Sequence, residues 1–587
     1  MCGIWSFLKL ISKDINKTKL FQDFIELENR GPEHSSLKIY KPYDTKGPGQ
    51  FFPEKLTQLE EKNFSSGPRE VWIGHQRLSI IDPTVTSDQP FIIKEKDRTI
   101  VFICNGEIYD FKELINYFDL KLTNTSDCMT IPELYTKLGY DDFLKLFDYT
   151  IKGEFAFLLY EFDQKMVLKK LIVGRDQIGI RPLYYHPVST ENETMIFSSE
   201  IKGTINYSYG DVKEFPPGNI ITYSFGDNGY ISDISSYSFN WVYNTVALKN
   251  LDESIYLDGI RESIYNAVKR RLQSDRPIGF LLSGGVDSSL VAGIAAKLTK
   301  EPIRTFCCGM SEGTDLIYAR KVAKHINSIH TEVMFTAKEA LGYISNVIYT
   351  VETWDTTTVR ASVGQYIISK FIGTQTDIKV VGVGEGPDEV CSSYMFNWSA
   401  PSGEALHETA LEYVDNIHYF DSKRGDRCLA RWGLEGRVPL LDPEFIEAYW
   451  KVPADLRMPT YKKMEKWWLR QAFANTKIIP DEVLWRKKEA FSDGVSGKEK
   501  SWFQIIQEYV EPLVTDEELK NASEKYPYHT PTTKEAYYYR KIFCGYFGDW
   551  NQTVIPHYWQ PKWGSDGKEI TEYIDPSARV LKVYESH

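Results

Sequence analysis

The sequence predicts two domains of different class, an α+β unit built on packed sheets followed by an α/β unit built on a parallel sheet. Three observations carry that expectation. At 587 residues the chain exceeds what one hydrophobic core supports. Up to about residue 214 its apolar segments are short runs separated by turns, and from about residue 250 they alternate between helical and strand periods.

In the first part, TIVFIC (99–104) runs into NGEIYD, and GEFAFLLYEFDQKMVLKKLIVGRD reads as two apolar strands around the turn Phe162-Asp163-Gln164-Lys165. The stretch SFGDNGYISDISSYSFNWVYN (224–244) is rich in Gly, Ser, Asp and Asn without a sustained period, which places a linker there. Beyond it, LDGIRESIYNAVKRRLQ sets Ile260, Ile264, Ala267, Val268 and Leu272 on one helical face. The strand PIGFLL follows, then a helix SSLVAGIAAKL, a strand IRTFCCGM, a helix DLIYARKVAKHI and the strands TEVMF and IKVVGV. Such alternation implies a parallel sheet wrapped by helices. The expected boundaries are 1–214 for the first domain, 215–248 for the linker, 249–545 for the second domain and 546–587 for an irregular surface tail.

Composition narrows the function classes. With 42% hydrophobic and 26% charged residues the chain is an ordinary globular protein. Its formal net charge of -12 and the lack of a long Lys/Arg run argue against a nucleic-acid partner. The eight cysteines are scattered, with no C-x-x-C and no zinc spacing, so they are expected as free thiols. The apolar start MCGIWSFLKLI is short, has no basic leader and runs into SKD, and no 18-residue apolar run occurs elsewhere. The expectation is a cytoplasmic protein without a membrane span.

Two loops carry chemistry in the second half. PIGFLL ends in SGGVDSS (283–289), which opens directly into a helix. Gly284 and Gly285 let the backbone approach closely, and Ser283, Ser288, Ser289 and the free N–H groups of the helix start suit an anion. No Lys follows, so this is not a Walker loop; Asp287 stands in the turn instead, and an acid beside phosphates calls for a cation between them. The second loop, GEGPDE (384–389), closes the strand IKVVGV, which puts both loops at the carboxyl edge of one parallel sheet. With Asp287, Asp388 and Glu385 present, the pair fits Mg-ATP cleaved to AMP and pyrophosphate; a plain strand-to-helix turn is the competing reading of each loop alone.

At the other end stands Cys2. Once an initiator Met is removed, a cysteine carries a free α-amine with a pKa of about 7.7 to 8.0, so one residue supplies nucleophile and base. CNGE (104–107) offers the side-chain amide of Asn105 and the N–H of Gly106 to an oxyanion. Arg77, Glu107 and Asp127 suit the charged ends of a free amino acid.

Taken together, MCGIW, RGPE, GHQRLSIIDP, CNGEIYD, GRDQIGIRPLYY and FSSEIK resemble the class II glutamine amidotransferase domain. LLSGGVDSS, TFCCGM, ETWDTTTVRASVGQY, GEGPDE, GLEGRVPLLD and WRKKEAFSDGV resemble the synthetase domain of the glutamine-hydrolysing asparagine synthetases, and the blocks span nearly the whole chain in order. The resemblance implies an αββα sandwich of the N-terminal-nucleophile hydrolases followed by an N-type ATP pyrophosphatase. It implies a ligase that forms β-aspartyl-AMP from ATP and aspartate, with Mg2+, and displaces AMP with ammonia released from glutamine and conducted through a tunnel. By matching positions, glutamine is expected at Arg77, Leu78, Ser79, Ile80, Ile81, Asn105, Gly106, Glu107 and Asp127. ATP and pyrophosphate are expected at Leu282, Ser283, Gly284, Gly285, Asp287, Ser288, Cys308, Thr357, Arg360, Val383, Gly384, Asp388 and Lys488. Asp287 and Asp388 are expected toward magnesium, Glu385 at aspartyl-AMP formation, and a homodimer is a family-level expectation.

Some residues depart from the family pattern. RGPE carries an acid one methylene longer than the usual RGPD, and Met129 stands where an acid is common. Val383 and Pro387 replace hydroxyls in the second loop. A hydrogen bond lost to a charged partner costs about 1.5 to 3 kcal/mol, roughly one to two decades in rate, so a slower enzyme is expected. Two other readings compete: another glutamine-dependent ATP pyrophosphatase, and a weakened or silent relative that acts as a scaffold.

Overall fold

The computed structural model describes residues 1–10, 16–42, 49–51, 70–186, 194–206, 212–227, 229–249, 252–311, 313–487 and 500–572. The chain divides into two compact units, Met1–Asn240 and Trp241–His587.

The first unit holds two antiparallel sheets. The seven-stranded sheet has Gly3–Lys9 between Thr194–Ser198 and Val71–Arg77, with His34–Tyr40 and Gly49–Phe51 on one flank and Tyr184–Tyr185 and Lys213–Glu214 on the other. The six-stranded sheet runs Ile231–Ser238, Asn219–Phe225, Leu168–Arg175, Gly153–Asp163, Arg98–Ile108, Phe91–Lys94. Side chains alternate between faces with period two. Ile4, Leu8 and Ile73 therefore meet Val101, Ile103, Leu158 and Val173 between the sheets. Trp5 and Phe7 turn the other way, onto Leu20, Phe21 and Phe24 of the helix Lys17–Ile25. Phe102, Cys104, Phe157 and Leu159 turn outward onto the helices Phe111–Phe118, Thr130–Leu138 and Tyr140–Tyr149. Strands covered on both faces read as continuous apolar runs, which is why TIVFIC and GEFAFLLYEF lack alternation.

The expected hairpin at 162–165 forms: Gly153–Asp163 pairs with Leu168–Arg175, and Asp163 Oδ1 accepts the N–H groups of Lys165 and Val167, each at 2.9 Å. The expected linker at 215–248 does not stand. Residues 219–225 and 231–238 are the two outer strands of the six-stranded sheet, and Tyr237 Oη donates to Asp148 at 2.7 Å. Ile231–Ser238 is an edge strand with mostly exposed Ser and Asp side chains, so its composition mimics a loop. The first unit accordingly ends at Asn240.

The second unit is built on a five-stranded parallel sheet in the order Ile329–Met334, Arg304–Gly309, Ile278–Leu281, Val380–Gly382, Glu435–Arg437. The helix Glu253–Arg270 buries Tyr256, Ile260, Ile264, Ala267 and Val268, with Asp252 accepting from Ser254 N at 2.8 Å as its cap; Leu272 falls beyond its end. The helices Val286–Leu298 and Thr314–His325 follow the first and second strands, as the alternation requires. Glu435–Arg437, three residues with two charges, gave no strand signal; its charges are satisfied internally, Arg437 Nε donating to Glu435 at 2.9 Å.

The expected surface tail from 546 is also corrected where it is described. Trp559 and Trp563 are buried against Phe396, Leu406 and Tyr413. The backbone N–H of Trp559 donates to Asp355 Oδ2 at 2.9 Å, while Asp355 Oδ1 accepts from Thr358 N at 2.8 Å and so caps the helix Thr356–Gln375. One carboxylate thus fastens a core helix to the end of the chain. No helix among the described residues is long and apolar enough to cross a membrane.

Replacing Asp355 by Ala removes both acceptors at once. A lost cap costs about 1 kcal/mol and a buried N–H left unpaired about 1 to 3, so Asp355→Ala is expected to lower the stability of the second unit by about 2 to 4 kcal/mol. Denaturant unfolding followed by tryptophan fluorescence checks it; an unchanged midpoint would show that the two bonds contribute nothing.

Candidate active sites

In the first unit, Cys2 stands just before the strand Gly3–Lys9, partly exposed, with Sγ 3.6 Å from Leu78 O. Arg30 holds it from behind: Nε donates to Cys2 O at 2.8 Å, and the guanidinium pairs with Glu200 at 2.8 Å, both side chains buried. Gly31 follows, where a Cβ would lie 2.3 Å from Gln76 O, so the RGPE loop can pass the neighbouring strand only as glycine. Glu33 Oε2 accepts from Ser79 N at 2.9 Å. The extra methylene of RGPE therefore still reaches the loop that carries Leu78, Ser79, Ile80 and Ile81.

Two strands bring the oxyanion candidates close. His75 lies opposite Ile4 in the sheet, and its Nε2–H donates to Cys104 O at 3.2 Å, next to Asn105. Burial holds the His75 pKa down to about 3, so it is neutral. Asn105 is 1% exposed, and both its amide nitrogen and its oxygen lack a partner. A buried amide left unpaired costs about 1 to 3 kcal/mol, which a structure keeps for a ligand. Gly106 packs against Phe155, where a Cβ would stand 2.4 Å from Glu154 O. Asp127 Oδ2 accepts from Ile108 N at 2.7 Å, which fixes it against the same strand, and Glu107, the residue before Ile108, is buried. Arg77 is braced by Thr84 O at 2.7 Å, Asp82 O and Asp88 at 2.5 Å, so much of its guanidinium is spent on the loop 82–88. Met129 is buried in the core under the helices, an apolar environment that suits it better than an acid.

In the second unit, the loop 283–289 and the loop 384–389 meet at the carboxyl edge of the sheet. Gly284 takes φ +76° and Gly386 φ +102°, conformations that favour glycine. A Cβ on Gly384 would lie 2.5 Å from Ser288 N, so the two loops touch through bare backbone. Between them opens a cleft with an empty volume of about 1130 Å³, lined by Leu282, Ser283, Gly285, Asp287, Ser288, Cys308, Val383, Gly384, Glu385 and Asp388. The structure thus gathers most of the expected nucleotide residues. Cys308 forms part of the wall as a thiol whose pKa burial pushes up to about 12. Val383 is buried, and Pro387 occupies the first position of the helix Pro387–Val390, where a proline is accommodated without loss of an intrahelical bond.

Gly284, Thr357 and Arg360 are not among the lining residues. Arg360, expected at the pyrophosphate, instead makes a two-pronged pair with Glu535 at 2.7 and 2.5 Å and lies over the Phe503 ring. Thr357 Oγ1 is buried without a partner. Lys488 lies outside the described residues.

Several cleft residues went unnoticed in the sequence, among them four cations. Lys466, 3% exposed, bridges Asp287 at 2.6 Å and Asp388 at 2.5 Å; burial opposes its charge, but the two carboxylates outweigh burial and hold its pKa above the ordinary lysine value. Arg470 and Arg486 add cations to the wall. Arg424 reaches Glu385 at 3.3 Å and Asp421 at 3.2 Å. Glu385 itself is pushed up to about 7, chiefly by burial, with Arg424 pulling the other way. No motif announces Lys466; only its burial between two acids sets it apart from the other lysines of YKKMEKWW.

The cleft, with its serine and glycine loops and its buried glutamate, and the N-terminal thiol with its unpaired amide agree with what comparison finds. An asparagine synthase model matches residues 259–405 and 398–567, and a glutamine amidotransferase domain model matches residues 60–226. A glutamine-hydrolysing asparagine synthetase of Homo sapiens is 38% identical, covering 100% of this chain and 99% of that protein; one of Gallus gallus is 39% identical, covering 87% and 91%. The chain belongs to the glutamine-hydrolysing asparagine synthetase family. Its two units correspond in sequence order to the amidotransferase and synthetase models. Among solved structures, the allosteric regulatory enzyme of purine biosynthesis covers 57% of the chain at 13% identity with a TM-score of 0.32, too distant to bear on this synthetase.

Lys466→Met would leave two carboxylates facing each other without their cation. Breaking a buried pair costs on the order of 3 kcal/mol, so the variant is expected to melt earlier and to lose AMP formation while glutamine hydrolysis persists. AMP release at the parent rate would show that the bridge has no part in the reaction.

Proposed function

We propose that this chain synthesises L-asparagine from L-aspartate with the amide nitrogen of glutamine, cleaving ATP to AMP and pyrophosphate. The observation that carries the proposal is the joining, in one chain, of a unit that holds the Cys2 thiol and an unpaired buried Asn105 amide with a unit whose cleft has two acid-bearing loops closing on Lys466.

At the first site the enzyme that works begins at Cys2. Met1 is buried, so its removal opens enclosed space as well as freeing the amine. The amine takes the thiol proton as Sγ attacks the glutamine amide carbon; Asn105 Nδ2 and the Gly106 N–H receive the oxyanion. Collapse expels ammonia with the proton, and water then hydrolyses the thioester to glutamate. Arg77, Glu107 and Asp127 serve the charged ends of glutamine, with Leu78, Ser79, Ile80 and Ile81 shaping the pocket. This is the chemistry of an N-terminal-nucleophile hydrolase, and the layers of two sheets between helices suit that αββα class.

At the second site, a β-carboxylate oxygen of aspartate attacks the α-phosphorus of ATP, pyrophosphate leaves, and ammonia then displaces AMP from the acyl carbon. The serine-glycine loop and Lys466 serve the phosphates, and Glu385 serves the aspartyl group. Magnesium fits the cleft: Asp287 Oδ1 is buried without a partner, and with Asp388 it offers the one or two carboxylates that Mg-ATP takes from a protein. When bound, the ion would screen phosphate charge. Ammonia has to pass between sites as the free base, because protonation in bulk water removes its lone pair. A cytoplasmic setting and a homodimer accord with the family.

Cys2→Ala is expected to abolish glutamine hydrolysis and leave asparagine synthesis with ammonium intact, measured as AMP and asparagine with each donor in turn. Loss of both activities would contradict separate sites, and active protein whose intact mass retains Met1 would refute the α-amine as base.

Glu385 sets the pH profile of the second site. Its folded pKa of about 7 lies above the ordinary 4.5, so the ionised form that the reaction uses is lost as pH falls through 7. Ammonia-independent formation of pyrophosphate from ATP and aspartate should therefore halve near pH 7 on the acid side; a limb near pH 4.5 would show that Glu385 is not the titrating group.

A further inference from the structure

Glu385 owes its position to contacts that neither loop supplies. Gln365, 2% exposed on the helix Thr356–Gln375, lines the same cleft and donates Nε2–H to Glu385 Oε1 at 2.9 Å. Arg424 reaches that same oxygen at 3.3 Å from the helix Asp421–Ala430. The other oxygen, Oε2, is buried without a partner and sits over Gly425, where a Cβ would lie only 2.2 Å from it. The carboxylate is thus gripped at one oxygen by an amide and a guanidinium and received at the other by a notch that only glycine leaves open. A carboxylate with one oxygen satisfied and one unpaired has a defined working end, and free rotation about its last torsion would erase that distinction.

We propose that Gln365 is a positioning residue for aspartyl adenylation: its amide, acting with the Gly425 notch, fixes the Glu385 carboxylate so that Oε1 is tethered and Oε2 alone is left for the chemistry. The inference rests on Glu385 serving the aspartyl group, as proposed above. Arg424 alone does not fulfil this task, since at 3.3 Å it contacts Glu385 at a longer distance and shares its charge with Asp421. Gln365 is neutral, so it orients the carboxylate without cancelling the charge that the reaction needs.

A second consequence concerns proton affinity. The charged and titratable groups that act on Glu385 are Arg424, Asp421 and Cys428, all on the helix Asp421–Ala430. Arg424 favours the ionised carboxylate and Asp421 disfavours it; the Gln365 amide, donating to the carboxylate, also favours the ionised form. Without that amide Glu385 becomes harder to ionise, and the acid limb of adenylation moves to higher pH.

The test is Gln365→Met, which keeps the length of the side chain and removes the amide. ATP- and aspartate-dependent pyrophosphate release is measured from pH 5.5 to 9, together with the KM for ATP and the rate of glutamine hydrolysis. The expected result is a fall in kcat of tenfold to a hundredfold at neutral pH, an acid limb displaced upward, and an unchanged KM for ATP, which also certifies a folded cleft. Gly425→Ala, which pushes on Oε2 from the other side, is expected to lower kcat in the same way. The inference is overturned if Gln365→Met keeps the parent kcat and pH limb, or if kcat falls equally at every pH with a matching rise in the KM for ATP. Failure of the underlying reading looks different: Glu385→Ala would then release pyrophosphate at the parent rate.

Discussion

A single buried ammonium organises the second unit. Lys466 lies between Asp287, which belongs to the loop after the central strand, and Asp388, which belongs to the loop after the neighbouring strand. Two carboxylates facing one cleft repel, and neither is at ease in a low-dielectric wall; burial raises the Asp287 pKa and Lys466 opposes that rise. The ammonium offsets the repulsion between the two carboxylates and lets them share one wall. It also explains why Gly384 is a glycine: the loops have to approach until Gly384 touches the Ser288 backbone before one lysine can span their acids.

The first unit solves a different problem with the period of a β-strand. Alternate residues of Arg98–Ile108 face the second sheet and the helices, so the strand is held on both sides and its end is rigid. Asn105 and Gly106 stand at that end. Rigidity matters because an oxyanion donor stabilises a transition state only when it does not have to reorganise. The unpaired Asn105 amide is the visible cost of such preparation, and Arg30 with Glu200 plays the same part for the Cys2 backbone.

What the sequence shows and hides follows from how each residue is stabilised. Elements with a periodic apolar face, as in Glu253–Arg270, or with a continuous apolar run, as in the paired strands around 162–165 and the parallel strands of the second unit, were legible. Elements held by their neighbours were not. Ile231–Ser238 is a strand because Asn219–Phe225 offers it a ladder, and Glu435–Arg437 because Val380–Gly382 does. Trp559 and Trp563 bury singly, with no period to announce them. The site divides in the same way. Glycine loops and their acids are local in sequence and stood out, whereas Arg424 and Gln365 reach the cleft from helices and Lys466 from the turn before one, up to 179 residues away from their partners. A motif position likewise says nothing of Glu535, which pairs with the Arg360 guanidinium in this structure.

The departures at Val383 and Pro387 can now be weighed against the cleft that contains them. Five cations, Arg424, Lys466, Arg470, Arg486 and Lys487, and five acids, Asp287, Asp315, Glu385, Asp388 and Asp421, line its wall, in a chain whose net charge is -12. The cleft's charges balance in a chain that is negative as a whole, and on the proposed reading that balance, more than two loop hydroxyls, favours a polyphosphate. Pro387 sits where its missing N–H is tolerated, and the helix it begins keeps Asp388 facing Lys466. Ser393 donates its hydroxyl to Asp388 and so orients it from five residues onward. Val383 and Cys308 both line the cleft, and Val383 brings no hydroxyl to it. On the proposed reading the substitutions touch individual contacts to the nucleotide and leave in place the pairing of Lys466 with Asp287 and Asp388, which argues for the expected slower enzyme over a silent one.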